Sequence, residues 1–139
     1  DMLVLGSAGV LEWGRAVRYE DPIPHLDMLV LGSVAVSESG LRIGKGEGYA
    51  DLEYAILRAK GAVDDSTLVV TTVHDYSVME ISDSVARQHD VPVDLIVTPT
   101  RVIPTRTVLP KPQGIYWDLL TEEKIQAIPI LQQLRPLDP

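Results

Sequence analysis

Hydrophobic and polar residues follow two kinds of pattern along this chain of 139 residues. Three short runs of aliphatic and β-branched residues, at 28–36, 67–73 and 94–98, have the composition of buried strands. Between the first two runs, residues 49–60 place apolar side chains on one face at helical spacing, and Gly61 supplies a stop. Strands that alternate with helices predict a layered α/β fold with a mainly parallel sheet and flanking helices.

Weaker patterns surround these elements. Residues 11–18 and 82–89 have the spacing of short helices. Prolines recur in residues 104–114, which predicts an extended segment. Thr121 can cap a last helix, and Pro129 must interrupt or restart that helix.

The organisation of the chain includes one repeat, because the heptapeptide DMLVLGS at residues 1–7 recurs at residues 27–33. One repeat is too few for a solenoid, so either a small duplication or an error at the start of the sequence explains it. We therefore assign residues 1–26 to an N-terminal segment of undetermined structure and residues 27–103 to the α/β core. Residues 104–139 form a proline-rich C-terminal extension with a final helix.

Composition narrows the functional classes. The chain has no cysteine, which excludes disulfides, thiolate metal sites and cysteine nucleophiles and fits a cytoplasmic protein. Its formal net charge of −8 repels nucleic-acid phosphate on average, so nucleic acid is a poor candidate partner. No apolar run has the length needed to cross a bilayer and no signal peptide is recognisable, so we expect no membrane partner.

The most distinctive segment is a loop at residues 42–51, which follows a predicted turn at residues 37–40. Its alternate glycines, Gly44, Gly46 and Gly48, let the backbone adopt positive φ and let an anion approach the main chain. Amides at the start of the following helix would face that anion with the helix dipole behind them. The spacing matches neither the P-loop nor the dinucleotide fingerprint, so a purely structural turn remains the alternative to phosphate binding.

Charged residues in this loop suggest how an anion would be held. Arg42 and Lys45 could add charge-assisted contacts to phosphate. Asp51, at the helix start, fits either a Mg²⁺ ligand beside bound phosphates or a carboxylate that stabilises the helix dipole. Glu47 would repel phosphate by ~4 kcal/mol at ~4 Å and an effective dielectric of ~20, unless its side chain turns outward or binds metal.

Other candidate residues have weaker signals. His74 and Asp75 end a predicted strand, at the edge where open α/β sheets place ligands, and could do acid–base work. Adjacent residues of an extended chain point to opposite faces, so these two side chains need not touch. We expect Trp13, Tyr116 and Trp117 to be packing groups rather than ligand platforms.

Several blocks of this sequence resemble the 5-formyltetrahydrofolate cyclo-ligase family (methenyltetrahydrofolate synthetases), and within it the branch whose members contain a methenyltetrahydrofolate synthase domain. The resemblance covers about residues 27–135. It lies in residues 27–36, 42–51 and 89–98, and in the segments GKGEGYADLEY at 44–54, TPTRVI at 98–103 and KPQGIYW at 111–117.

The resemblance implies a three-layer α/β fold and a ligase of one-carbon metabolism that uses ATP and Mg²⁺. The implied reaction converts a reduced folate, 5-formyltetrahydrofolate, to 5,10-methenyltetrahydrofolate. ATP phosphorylates the formyl oxygen, the folate N10 attacks the activated carbon, and phosphate leaves. The implied roles are catalytic for Arg42 and Tyr49, metal-binding for Asp51, and cofactor-binding for Gly44, Lys45, Gly46, Glu47 and Gly48.

The sequence also departs from the family pattern. Glu47 stands where active members usually carry glycine or lysine, Ala50 replaces a second aromatic residue, and Leu52 stands where many members have arginine. The basic N-terminal residues that serve ATP in the family have no counterpart, so we expect the N-terminal part of the fold to be missing. A catalytically inactive nucleotide-binding or protein-interaction domain is therefore the alternative to an enzyme.

Overall fold

A mainly parallel sheet organises the fold. The computed structural model describes residues 2–4, as backbone, and residues 11–137. In this part of the chain the strands are β1 (Met2–Val4), β2 (Met28–Leu31), β3 (Ala35–Val36), β4 (Arg42–Ile43), β5 (Leu68–Thr72), β6 (Leu95–Val97) and β7 (Val102–Pro104). The main sheet has the order β1-β2-β5-β6-β7, with parallel neighbours throughout except the antiparallel pair β6 and β7. The predicted α/β fold with a mainly parallel sheet is confirmed.

Residues 2–4 and 28–31, which belong to the two copies of the repeated heptapeptide, form neighbouring strands. Met2, Leu3 and Val4 of β1 pair in parallel with Met28, Leu29 and Val30 of β2. Like residues therefore lie directly beside like residues across this ladder. Identical sequences have identical strand propensity, which accounts for the strand conformation of both residues 2–4 and residues 28–30.

The apolar run at residues 28–36 is two strands rather than the single strand that we predicted. Burial alternates along β2, where Leu29 and Leu31 are buried while Met28 and Val30 are only half-buried. The chain then leaves the main sheet, and β3 pairs with β4 as an antiparallel hairpin in a second sheet. The apolar pattern does not reveal this break, because both strands consist of apolar residues.

Three α-helices lie in residues 14–137: α1 (Tyr49–Ala59), α2 (Glu122–Ala127) and α3 (Pro129–Leu134). The predicted helix at 49–60 is confirmed. The Thr121 hydroxyl accepts a hydrogen bond from the Lys124 amide at 3.2 Å and thereby caps α2. Pro129 restarts the helix as the first residue of α3, where its missing N–H is no loss.

The predictions of two short helices, at residues 11–18 and 82–89, are largely wrong. Only residues 11–13 of the segment 11–18 are helical among those described. The segment 82–89 contains one 3₁₀ turn, Asp83–Val85, and the chain is extended again at Ala86. The Ser82 hydroxyl accepts from the Ser84 amide, a local bond that favours a turn over a longer helix.

Two apolar clusters meet at α1. Tyr54 belongs to the core above the sheet, whereas Leu52 and Ala55 belong to a second cluster. That second cluster also contains buried side chains of the C-terminal helices: Ile125, Leu131 and Leu134. Helix α1 therefore packs between the sheet and the C-terminal helices, which places those helices beside the start of α1.

The proline-rich segment is tied to the core by Lys111. Its Nζ donates to the Thr67 carbonyl at 2.6 Å and lies 2.9 Å from Asp94 Oδ2. The predicted limits of the core and the C-terminal extension stay predictions. No helix in residues 11–137 combines the length and apolar character that crossing a bilayer requires.

Candidate functional site

The glycine-rich loop leads from β4 into α1. Gly48 precedes the first turn of this 11-residue helix with φ 70°, and no side chain caps the helix start. The amides of residues 44–48 form no hydrogen bond with any other described residue. Free amides at the positive end of a helix dipole are suitable donors for an anion.

Arg42 is buried beneath this loop, with 3% of its side chain exposed. Its Nη1 donates to the Gly32 carbonyl at 2.8 Å and its Nη2 to Asp51 Oδ1 at 3.2 Å. The same Asp51 oxygen accepts the Val91 amide at 3.0 Å. The pair therefore joins the end of β2, the start of α1 and the segment before β6. Contact between Arg42 and a ligand, and a metal at Asp51, both stay predictions.

The other loop side chains project outward. Lys45 and Glu47 are exposed, and neither side chain forms an ion pair or hydrogen bond with another described residue. Tyr49 is 53% exposed, and the ammonium of Lys124 lies 5.4 Å from the centre of its ring. The Lys124 Nζ also donates to the Glu47 carbonyl. Lys45 is therefore available to an anion, and the Glu47 carboxylate is free to point into solvent.

A cavity of about 250 Å³ opens beside the loop. Helix α1 forms one wall, the segment 114–121 forms the opposite wall, and both are mainly apolar. A cavity of this size and character suits the flat part of a small ligand better than a charged group. The lining residues are Gly48, Asp51, Leu52, Ala55, His89, Gly114, Ile115, Tyr116, Leu119, Leu120, Thr121 and Lys124.

Sequence reasoning assigned no site role to Lys124, to His89 or to the segment 114–121. Lys124 follows the helix cap at Thr121, and nothing in its sequence context links it to a loop more than seventy residues earlier. His89 Nε2 lies 3.4 Å from Asp90 Oδ1, while its Nδ1 is buried without a partner among the described residues. Only the tertiary structure brings these groups together.

The three aromatic residues that we expected to pack behave differently. Trp13 is 81% exposed, so that expectation is wrong. Trp117 is half-buried against the second apolar cluster. Tyr116 lines the cavity. Packing against distant parts of the chain buries Trp117 and places Tyr116 at the cavity, and a single aromatic residue carries no periodic signal for such packing.

His74 and Asp75 lie away from the cavity, at a 3₁₀ turn after β5. His74 Nδ1 accepts the Tyr76 amide at 3.2 Å, and Asp75 Oδ1 accepts the Thr100 hydroxyl at 2.7 Å. These contacts cap a turn and fasten it to the neighbouring loop. The hydroxyls of Thr98 and Thr100 hold the pKa of Asp75 below its usual value.

The lowered pKa of Asp75 predicts a pH effect on stability. The folded state favours the charged carboxylate, so its contribution is complete above the unfolded pKa of about 3.9 and is lost as the pH falls through the folded pKa. We expect Asp75→Asn to lose less thermal stability than wild type on acidification from about pH 5 to about pH 3. Thermal melts at several pH values measure this. Glu80→Gln removes an exposed acid and is the control, which should respond to acid as wild type does. Equal acid sensitivity of Asp75→Asn and wild type would contradict a lowered pKa of Asp75.

Comparison with known proteins gives the family. The model of the 5-formyltetrahydrofolate cyclo-ligase family matches residues 6–99. The chain belongs to this family. Methenyltetrahydrofolate synthase domain-containing protein of Danio rerio is 50% identical over 132 residues, which are 95% of this chain and 34% of the relative. The human protein of the same name is 56% identical over 110 residues, which are 79% of this chain and 29% of the relative. The chain thus spans about a third of the length of the curated relatives it matches.

The cyclo-ligase family match covers only part of the candidate site. The glycine loop, Asp51 and His89 lie inside the matched residues, whereas Lys124 and the segment 114–121 lie outside them. Within residues 11–137, no three histidine, aspartate or glutamate side chains converge as a metal cluster would require. In this cyclo-ligase family member, residues 114–121 and Lys124 therefore add to the cavity a lining that lies outside the family match.

Proposed function

We propose that this chain binds ATP with Mg²⁺ at the loop 42–51 and belongs to a protein that converts 5-formyltetrahydrofolate to 5,10-methenyltetrahydrofolate. The observation that supports this most is the set of unbonded amides at residues 44–48, at an uncapped helix start beside an apolar cavity. Membership of the cyclo-ligase family supports the choice of substrate.

The residues present fit a nucleotide. The loop amides would donate hydrogen bonds to phosphate oxygens, and Lys45 is an exposed cation in the same loop. Positioning and charge neutralisation are the main demands of a phosphoryl transfer, since no protein nucleophile is needed. The proposed site supplies both from one short segment.

Fewer of the residues present fit Mg²⁺ than fit a nucleotide. Asp51 is the carboxylate that lines the cavity, and its Oδ1 is already shared by Arg42 and Val91. Asp51 Oδ2 would therefore hold the ion, directly or through water, while phosphate oxygens supply other ligands. Bound there, Mg²⁺ would neutralise phosphate charge.

For the proposed ring closure the chain would have to hold the phosphate, exclude water and orient the substrate. The formyl oxygen takes the terminal phosphoryl group of ATP, N10 then attacks the formyl carbon and releases its proton to water, and phosphate leaves with that oxygen. The loop amides would hold the phosphate and the apolar walls of the cavity would exclude water from the activated carbon. Tyr49, half exposed beside the loop, would orient the substrate.

Nucleotide affinity tests the loop assignment. Replacing Glu47 by glycine removes a like charge, so we expect Glu47→Gly to bind ATP·Mg²⁺ about tenfold more tightly than wild type. Replacing Lys45 by alanine removes a cation, and we expect affinity to fall about fivefold. Isothermal titration calorimetry measures both changes. Glu80→Gly removes an exposed acid outside the site and serves as the control; equal affinity in all variants would refute the loop assignment.

Product formation by the full-length protein tests the reaction. We expect methenyltetrahydrofolate to accumulate only when ATP, Mg²⁺ and 5-formyltetrahydrofolate are all present. ATP binding without product would refute the enzymatic proposal and would support a catalytically inactive nucleotide-binding module. Absence of ATP binding by the full-length protein would refute both.

A further inference from the structure

Lys124 joins the C-terminal extension to the glycine loop. It lies in the first turn of α2, and its half-buried side chain crosses to the loop that precedes α1. Its Nζ donates to the Glu47 carbonyl and lies 5.4 Å from the centre of the Tyr49 ring. A methyl group placed on Gly48 would come within 3.3 Å of the same nitrogen. One ammonium therefore binds the Glu47 carbonyl, lies beside Gly48 and approaches the Tyr49 ring.

The bond to Glu47 fixes the direction of a neighbouring amide. A trans peptide unit is planar, so the carbonyl of Glu47 and the N–H of Gly48 point in opposite directions. While Lys124 holds the carbonyl, the Gly48 N–H must point away from Lys124, where no described residue accepts it. Glycine readily tolerates rotation of this peptide unit, so the loop itself does little to prevent a flip.

Lys124 also changes the local charge. The loop carries Glu47, whose carboxylate opposes an anion, and Arg42 is already neutralised by Asp51. The ammonium of Lys124 supplies a positive charge at the cavity wall next to Gly48. This charge reduces the repulsion between Glu47 and an approaching phosphate.

We propose that Lys124 is a positioning residue that keeps the Glu47–Gly48 peptide unit in its anion-binding orientation and compensates the charge of Glu47. The role of the loop in nucleotide binding rests on the function proposed above. Lys124 lies beyond residues 6–99, so the C-terminal extension completes a site whose glycines lie within the family match. The ligand class is a phosphorylated nucleotide.

The structure also offers a matched control. Lys60 is half-buried like Lys124, and its Nζ lies 4.5 Å from the centre of the Tyr19 ring. It does not line the cavity. Lys60→Met therefore removes the same charge and the same type of cation–π contact as Lys124→Met, but away from the loop.

The first measurement uses the protein without ligand. The Leu52 amide donates to the Gly48 carbonyl at 3.0 Å, so its hydrogen exchange reports order at the junction of loop and helix. We expect exchange at Leu52 to be about fivefold faster in Lys124→Met than in wild type, with Lys124→Arg close to wild type. Lys60→Met should leave this rate unchanged. Unchanged exchange in Lys124→Met would overturn the positioning role.

The second measurement is calorimetry with ATP·Mg²⁺ and with adenosine. We expect Lys124→Met to weaken ATP·Mg²⁺ binding about fivefold and to leave adenosine binding unchanged, because adenosine carries no phosphate. Lys124→Arg should restore most of the ATP affinity, and a purely structural lysine would not discriminate between the two ligands. Equal losses for both ligands, or an equal ATP loss in Lys60→Met, would overturn the proposal. If wild type binds no ATP while Lys124→Met still speeds hydrogen exchange at the Leu52 amide, the proposed function fails and the positioning role of Lys124 stands.

Discussion

Replacing Arg42 by methionine should lower the free energy of unfolding by about 3 kcal/mol or more, since it leaves a partly buried carboxylate without its cation. Arg42 is 3% exposed and binds both the Gly32 carbonyl and Asp51, so its loss removes two charge-assisted hydrogen bonds. Among the described residues, Asp51 then keeps the Val91 amide alone as a hydrogen-bond partner. Urea denaturation followed by circular dichroism measures the change.

Arg101 provides the control for this prediction. It pairs with Glu38 at 3.2 Å, but 51% of the Arg101 side chain and 62% of the Glu38 side chain are exposed. Exposed pairs contribute at most about 1 kcal/mol, so Arg101→Met should change stability little. Equal effects of the two substitutions would show that the buried pair is not what holds the loop region together. If Arg42→Met is too unstable to purify, the milder Asp51→Asn tests the same pair.

A methyl group on Gly40 should be the second large perturbation. Gly40 has φ 97°, and a Cβ there would lie 2.7 Å from the Val93 carbonyl oxygen and 2.8 Å from Thr107 Cβ. Strained φ and overpacking against backbone each cost about 1–3 kcal/mol, so Gly40→Ala should lose about 3 kcal/mol of stability. Gly40 turns the hairpin β3–β4 that leads to the glycine loop, so we expect ATP affinity to fall as well.

Gly46 separates the two contributions to this loss. Its φ of 91° is similar, yet nothing lies within 4 Å of a Cβ placed there. Gly46→Ala should therefore cost only the backbone strain, about 1 kcal/mol. Thermal melts and urea titrations of the two variants, made side by side, give the difference. A loss in Gly46→Ala as large as that in Gly40→Ala would show that close approach to Val93 is not the cause.

The sequence predicted the elements whose signals are local. Helix α1 has a regular apolar face, Thr121 is a hydroxyl at a helix cap, and Pro129 occupies a position where proline starts a helix. The sequence did not separate β2 from β3, because an apolar run carries no mark where the chain leaves a sheet. The short helix at 82–89 failed because serine side chains satisfied the backbone locally.

At the candidate site, too, some features of the glycine loop follow from the sequence and others only from the folded chain. Its spacing, its place before a helix and its flanking cations all follow from the printed sequence. The sequence does not show that Arg42 is buried against Asp51 while Lys45 is exposed, since that depends on how the hairpin folds over the end of β2. Both residues are cations beside glycines, and only their burial separates a positioning residue from a candidate ligand.

Periodicity, turn chemistry and residue order were enough to predict the α/β class, the main helix and strands and the glycine loop, and several sequence blocks carried the resemblance to the family. The tertiary structure decided which groups surround the loop. It placed Lys124 beside Glu47 and joined Asp51 to Arg42 and Val91. Such contacts depend on packing between segments that are distant in the chain, and local residue patterns do not record that packing.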